Sequence, residues 1–433
     1  MTAIAYAPPR AGPFLLALFD RFEGVAVGLI LFLMSGALLA PLLSPDQMPD
    51  TVPILRQLWL PAFALIVLLI ARRPLLIAKV AAPALLCFAM VGWTFLSARW
   101  SIQPDVSFRR AVALTFTTLF ALHLAARYGW KTLMEMFAAL FGALAVGTAI
   151  VSVVFPGMGA NDPVHPGAWN GLWYEKNQMG GLMAHGALAT ACAAWFAPER
   201  RKLWAGALAF CLLAVVMSQS TTALVASAVD LGGLAAVLLL RAGGWIGLGS
   251  LWVMVTVGGA FAGVMAFAPD LFFGLLGKDS SLTGRTDIWA AVLRQVEHRP
   301  LGGYGFGAVW TDPWGPAWFI RHEVKWEAPT AHNGWLDVLL QLGAVGLALC
   351  ALHFLASAGA AVVRLFRGAE SAWAAPFIAV FGLLSVSEST LLQYNGLPWM
   401  LYLMLTAKLF ETGGLAAAPA TPRAPHLKLF PDP

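Results

Sequence analysis

Apolar runs of about membrane-spanning length recur along the chain with short polar interruptions between them, a pattern of buried or lipid-facing helices rather than of alternating strands. About twelve candidate runs stand out, at 24–43, 58–71, 78–98, 109–127, 132–155, 178–197, 203–218, 221–241, 245–268, 332–357, 373–390 and 396–411. One long polar stretch, 269–331, breaks the series, and a polar knot around His332 and Asn333 then runs straight into the next apolar helix. The pattern predicts an all-α polytopic membrane protein of about 12 transmembrane helices. Its helical domain covers 1–412, the 269–331 loop lies within it, and a tail at 413–433 has the Ala, Pro and Thr content of a disordered end.

Composition sharpens this reading. With 59% hydrophobic and 11% charged residues, the chain could not hide its apolar surface from water as a soluble protein. Arg10 and Arg21 precede the first run, which superficially resembles a signal peptide. Its long polar leader and the spans that follow mark it instead as a retained first helix. Cys87, Cys192, Cys211 and Cys350 all lie in apolar runs, so neither a disulfide framework nor a zinc spacing is expected. The formal net charge of +5 comes mostly from Lys and Arg in short loops, which membrane orientation explains without a nucleic acid.

That charge also orients the chain. With both termini cytoplasmic, the inside segments hold sixteen Lys and Arg residues and the short outside segments only five: Arg56, Arg99, Arg109, Arg110 and Lys176. The long loop and His332 therefore face outward, toward the periplasm of a bacterial inner membrane. Cations placed against the usual bias point to an anion held on that face, although the loop's own Asp and Glu residues are competing partners. The two halves show no internal repeat, which weakens a transporter reading.

Four stretches carry candidate chemistry. Leu282–Trp289 reads as a turn opening a helix with Ile288, Ala291, Val292 and Val296 on its apolar face, and Arg285 beside the free N–H groups of the first turn. A guanidinium at a helix start is a phosphate seat, and pairing with Asp287 is the plainer alternative. Arg299–Gly307 is a glycine-dense turn able to approach a ligand or membrane surface closely, with no parallel-sheet unit to make it a nucleotide site. Trp310, Trp314, Trp318, Phe319 and Trp326 suit either the headgroup level or the faces of sugars. Thr330 is a candidate N-cap that places His332 in the first helical turn, where the dipole favours the neutral ring a general base requires. Asn333 and Asp337, one turn apart, share a face from which they orient a substrate or brace the loop. Other ionisable groups inside the runs are His123, Glu135, His185, Asp230 and His353, of which Asp230 is the most costly to bury and has no partner cation nearby in sequence.

Five segments in order resemble the O-antigen ligase and polymerase superfamily, and more closely its exopolysaccharide polymerase branch. They are Asn170–Gly180 (NGLWYEKNQMG), Ser218–Leu224 (SQSTTAL), Thr283–Trp289 (TGRTDIW), Gly303–Gly307 (GYGFG), and Ala331–Asp337 (AHNGWLD) with Gln341–Gly343 (QLG). The resemblance implies a metal-independent, inverting glycosyltransferase without a cofactor, acting at the periplasmic face on undecaprenyl-diphosphate-linked glycan. A flippase and chain-length or export proteins are its candidate partners beside the membrane lipids. By position, His332 is similar to the family's essential His, Arg285 to its diphosphate-binding Arg, and Lys176 and Asn177 to its Lys-Asn pair. This chain has Thr221 where members often carry a cation, so the resemblance leaves either Lys176, Arg109 or Arg110 to take over that part of donor binding or a different handling of the donor. Polymerase, ligase onto lipid A-core, and non-enzymatic transporter remain open at this point.

Overall fold

A computed structural model of the chain describes residues 13–43, 57–162, 165–268, 285–368 and 370–411, together with positions 54 and 274. The tail 413–433 and the Leu282–Gly284 turn lie outside the described residues. The apolar runs are helices: α1 Pro13–Ser35, α2 Trp59–Arg72, α3 Ala81–Ser97, α4 Pro104–Arg127, α5 Trp130–Val154, α6 Lys176–Phe196, α7 Arg201–Met217, α8 Thr221–Ala242 and α9 Gly244–Phe267. The long polar stretch contributes α10 Arg285–His298 and α11 Pro316–Val324, and the series closes with α12 Gly334–Val363, α13 Ser371–Ser387 and α14 Leu397–Leu409. No strand occurs among the described residues beyond an isolated bridge between Asn161 and Pro166.

By length and composition, Pro74–Ser97, Trp130–Val154, Thr221–Ala242, Gly244–Phe261 and Gly334–Val363 can each cross a membrane. The apolar helices α2, α13 and α14 are shorter. At 13 residues α14 covers only about 20 Å, less than a hydrocarbon core of about 30 Å. It is buried on nearly every side and packs against α3, α4, α12 and α13, as a helix apolar all round should. At the other extreme, α9 packs on α8 and leaves Trp245, Trp252 and Phe267 exposed, a surface suited to lipid.

Ion pairs gather at the ends of the helices. At one end Glu23 takes Arg127 at 2.7 Å and Arg73 at 3.7 Å, Lys131 meets Glu199 at 2.5 Å, and Lys408 donates to the carbonyl of Ala125 at 2.9 Å. These are residues that the orientation argument puts inside. The opposite ends carry the 97–103 and 156–175 loops, α10, α11 and the start of α12.

Helix α12 is broken near that end. Gly343, at φ 67° and ψ −169°, interrupts it and frees the carbonyls of Leu340 and Gln341. The glycine-dense turn takes them up: Tyr304 N–H donates to Leu340 at 3.1 Å and Gly305 N–H to Gln341 at 2.8 Å. In return Ala344 N–H donates to the carbonyl of Pro300 at 2.8 Å. Irregular backbone at membrane depth requires such internal satisfaction. The close approach of this turn is to the backbone of α12.

The costly intramembrane groups have partners that sequence distance hid. Asp230 on α8 faces His185 on α6 as an ion-pair neighbour, with 3.6 Å between Oδ2 and Nδ1, both side chains buried and no hydrogen bond between them. Tyr402 of α14 lies 2.8 Å from His353 Nδ1 and 3.2 Å from Ser357, while Cys87 of α3 lies 3.4 Å from His353 Nε2. These contacts tie α3, α12 and α14 together through polar atoms that hydrocarbon would leave unsatisfied.

Candidate active site

Helix α12 begins three residues later than the sequence expectation. Asn333, not Thr330, is the N-cap: its Oδ1 accepts from Trp335 N–H at 3.0 Å and Leu336 N–H at 3.1 Å. Asn is the stronger cap, and one oxygen here serves two of the free N–H groups of the first turn. Thr330 instead accepts from the backbone N–H of His332 at 3.2 Å. His332 thus precedes the helix rather than lying in its first turn, and adopts φ +48°.

A histidine in the left-handed region is strained by about 1 kcal/mol or more and persists only where its surroundings hold it. Here they hold both sides. Trp289 of α10 donates its indole N–H to Ala331 O at 3.0 Å, and Asn333 anchors the following residue in the cap. The ring that results is stacked under Trp326, with centroids 5.5 Å apart and 17° between planes. Neither Nδ1 nor Nε2 has a hydrogen-bond partner. The ring is thus fixed in place with both buried nitrogens free of hydrogen bonds to the rest of the chain.

Its charged neighbour is Glu388, the residue just after α13. Glu388 Oε2 lies 3.6 Å from His332 Nδ1, and Oε1 accepts from Arg285 Nη2 at 3.0 Å. Arg285, the first residue of α10, also donates Nη1 to the carbonyl of Ser387. It is therefore tied to the end of α13 and not to Asp287. The backbone fixes the same junction, since Gly334 N–H donates to Glu388 O at 3.1 Å. The four apolar-face residues expected of α10, Ile288, Ala291, Val292 and Val296, are all buried in a core shared by α10, α11 and the start of α12 and hold Arg285 in place.

Glu175, immediately before α6, completes the acidic side. It is exposed to solvent, with neighbouring protein atoms shielding part of it from bulk water. Removal from bulk water holds its carboxyl above the usual carboxylate range; His332 opposes that rise, and Glu388 and Asp162 add to it. Its neighbour Lys176 is buried and donates Nζ to Gln219 O at 3.3 Å, so the cation reaches the Ser218–Thr221 turn. Asn177 is exposed one residue on.

The other expected site residues divide between bracing and a second position. Asp337 is buried, accepting from Trp310 Nε1 at 2.7 Å, from Ala331 N–H at 3.3 Å and from Ser389 Oγ. With Asn333 spent on the cap, both side chains brace the His332 loop. Arg110 donates to Gly307 O and lies 5.1 Å over the ring of Tyr394, while Arg109 is exposed on α4. Of the aromatic run, Trp310 is committed to Asp337, whereas Trp314, Trp318, Phe319 and Trp326 are exposed. Among the described residues, no three His, Cys, Asp or Glu side chains converge to hold a metal ion.

Sequence reasoning missed the Glu388–Gly396 segment, which touches His332 and Arg285 through Glu388, Asp337 through Ser389, and Arg110 through Tyr394. A signal was present: Glu388 is an acidic residue inside the apolar run 373–390, the kind of position that marks function in a membrane segment.

Comparison with known proteins agrees with the motifs. Residues 206–351 match a family model described as O-Antigen ligase, an interval that holds four of the five motif segments; Asn170–Gly180 precedes it. The chain is also 29% identical over 286 residues to the Exopolysaccharide production protein ExoQ of Rhizobium meliloti (strain 1021). That match covers 60% of this chain and 61% of the relative, so the chain spans less than two thirds of that protein's length.

Proposed function

We propose that this member of the O-antigen ligase family is a bacterial inner-membrane glycosyltransferase that joins undecaprenyl-diphosphate-linked repeat units at the periplasmic face, polymerising an exopolysaccharide or capsule. The observation that carries the reading is the junction of α10, α12 and α13. There a strained histidine with two unengaged ring nitrogens sits within one carboxylate of an arginine anchored at a helix start. An imidazole accepts the proton of an acceptor hydroxyl, and a guanidinium at a helix start holds a diphosphate. The lipid diphosphate is already a good leaving group, and cleavage of the sugar–diphosphate bond drives the reaction. Lys176, beside the turn where Thr221 stands, is placed to supply further positive charge to the donor, and Arg109 and Arg110 lie on the same outer side.

In this mechanism the acceptor hydroxyl attacks the anomeric carbon from the face opposite the diphosphate, with inversion, while His332 takes its proton. The exposed faces of Trp326 and Trp318 are suited to stack on sugar rings. Similarity to an exopolysaccharide production protein favours polymerisation over ligation to lipid A-core.

The deciding experiment gives purified protein an undecaprenyl-diphosphate-linked repeat and no other acceptor. A ladder of longer lipid-linked chains is expected. Reaction only after lipid A-core is added would make it a ligase, and no covalent change with either would remove the enzymatic reading. Arg285→Ala should lower transfer by roughly 10- to 100-fold, the loss of one charge-assisted contact to the donor. Arg364→Ala, at the other end of α12 beside Glu370 at 4.0 Å, should change it less than about twofold. Equal effects in initial-rate assays count against the donor role of Arg285. Asp230→Asn keeps a polar partner for His185 and should leave transfer within about threefold of wild type. If it halts glycan output while His332→Ala does not, the protein is a transporter.

A further inference from the structure

We propose that Glu388 is a donor-responsive positioning residue, shared between Arg285 and His332 and passed from the first to the second when a diphosphate binds. The inference rests on the glycosyl-transfer reading above. Its basis is an imbalance in how one carboxylate serves two partners. Oε1 is in full contact with Arg285 at 3.0 Å, but Oε2 is 3.6 Å from His332 Nδ1, beyond hydrogen-bond reach. The histidine is left with no hydrogen bond on either nitrogen. In this arrangement the arginine is satisfied and the base is not.

A diphosphate reverses that balance. It presents more acceptor oxygens and more negative charge than a carboxylate, in a geometry the guanidinium fork matches, so it competes directly for Arg285. Arg285 does not need to leave its place to make the exchange. Its Nη1 stays bonded to the carbonyl of Ser387, which fixes the plane of the guanidinium while Nη2 changes partner. The site is also open enough for the exchange, with Glu388 30% and Arg285 16% exposed. Repulsion by the incoming anion pushes Glu388 away from the arginine, and His332 is the neighbour on its other side. A movement of roughly 0.7 Å brings Oε2 to an ordinary N–H···O distance.

The displaced carboxylate then accepts Nδ1–H, which fixes the ring with Nε2 as the proton acceptor and stabilises the imidazolium once it forms. The acceptor oxygen bonds to the anomeric carbon as the bond from that carbon to the diphosphate oxygen breaks. The electron pair leaves on the diphosphate, and the hydroxyl proton passes to Nε2. Base activation thus waits for the donor.

A carboxylate that merely tethered α10 to the end of α13 would behave differently on removal of its charge: the donor seat would loosen and donor KM would rise. The shared carboxylate predicts the opposite. In Glu388→Gln, Arg285 no longer has an anionic competitor, so donor KM should fall by roughly 3- to 10-fold while kcat falls by about 100-fold. Binding of undecaprenyl diphosphate alone, in nanodiscs, should tighten by a similar factor. Glu388→Asp keeps the charge and should recover at least roughly a tenth of the wild-type kcat. A raised donor KM, an unchanged kcat, an aspartate variant as slow as the glutamine, or loss of the folded protein in both variants overturns the proposal. Each of these is read against an active wild type; a wild type that transfers nothing to any acceptor overturns the glycosyltransferase reading instead.

Discussion

His332→Ala is expected to lower glycan transfer by two to four orders of magnitude, the usual contribution of a positioned acid–base group, while the protein remains folded and inserted. The loop that carries the ring is held through other atoms. Thr330 Oγ1 receives the backbone N–H of residue 332, Ala331 O receives the indole of Trp289, and the cap is made by the Asn333 side chain. None of these depends on the imidazole. What alanine removes is the stack with Trp326 and the approach to Glu388, both at the mouth of the site.

The backbone supplies a second arm to this test. Position 332 sits at φ +48°, where glycine is at ease and alanine is not. His332→Gly should therefore be as inactive as His332→Ala yet no less stable in thermal unfolding, because relief of the left-handed strain offsets the extra chain entropy of glycine. Product ladders and melting curves on the same preparations check both. Normal product length and yield in either variant would falsify the base assignment.

The sequence showed where helices lie because hydrophobic runs in a bilayer have little alternative: every backbone polar group must be satisfied within the segment. It showed the apolar face of α10 through ordinary helical spacing, and all four of those residues are buried. What it could not show was which distant segments meet. Asp230 seemed to lack a partner because His185 is 45 positions away, on another helix. Glu388 and His332 meet only because α12 and α13 pack side by side and the backbone of Gly334 is bonded to Glu388. The cap of α12 was misplaced for a more local reason. Thr330 and Asn333 are both competent caps, and tertiary contacts from Trp289 and Asp337 hold Ala331 and His332 outside the helix.

Gly343→Ala should be nearly as damaging as loss of His332 itself, although residue 343 lies more than two helical turns beyond the catalytic loop. The first segment of α12 carries the Asn333 cap and Asp337, and its direction is set by the break at Gly343, where φ is 67°. A Cβ there would meet the carbonyl carbon and oxygen of Leu301 at 2.2 Å, both backbone atoms that cannot swing aside. The facing turn is equally tight, since a Cβ on Gly303 would come within 2.4 Å of the Gln341 carbonyl carbon. Relief by straightening the helix would return the Leu340 and Gln341 carbonyls to helical partners and orphan the N–H groups of Tyr304 and Gly305 and the carbonyl of Pro300, and relief by moving the turn would carry Gly307 away from Arg110 and Gln341. Left-handed strain costs about 1–2 kcal/mol, and each buried unsatisfied backbone group about 1–3 kcal/mol more, so several kcal/mol must be absorbed by displacing the segment that aims His332. The expected result is a lowered melting temperature together with transfer reduced at least about 100-fold. Gly359→Ala is the control in the same helix: a Cβ there meets nothing within 4 Å, so melting and transfer should match wild type. If Gly343→Ala does as well as Gly359→Ala, the break in α12 is not what positions the histidine.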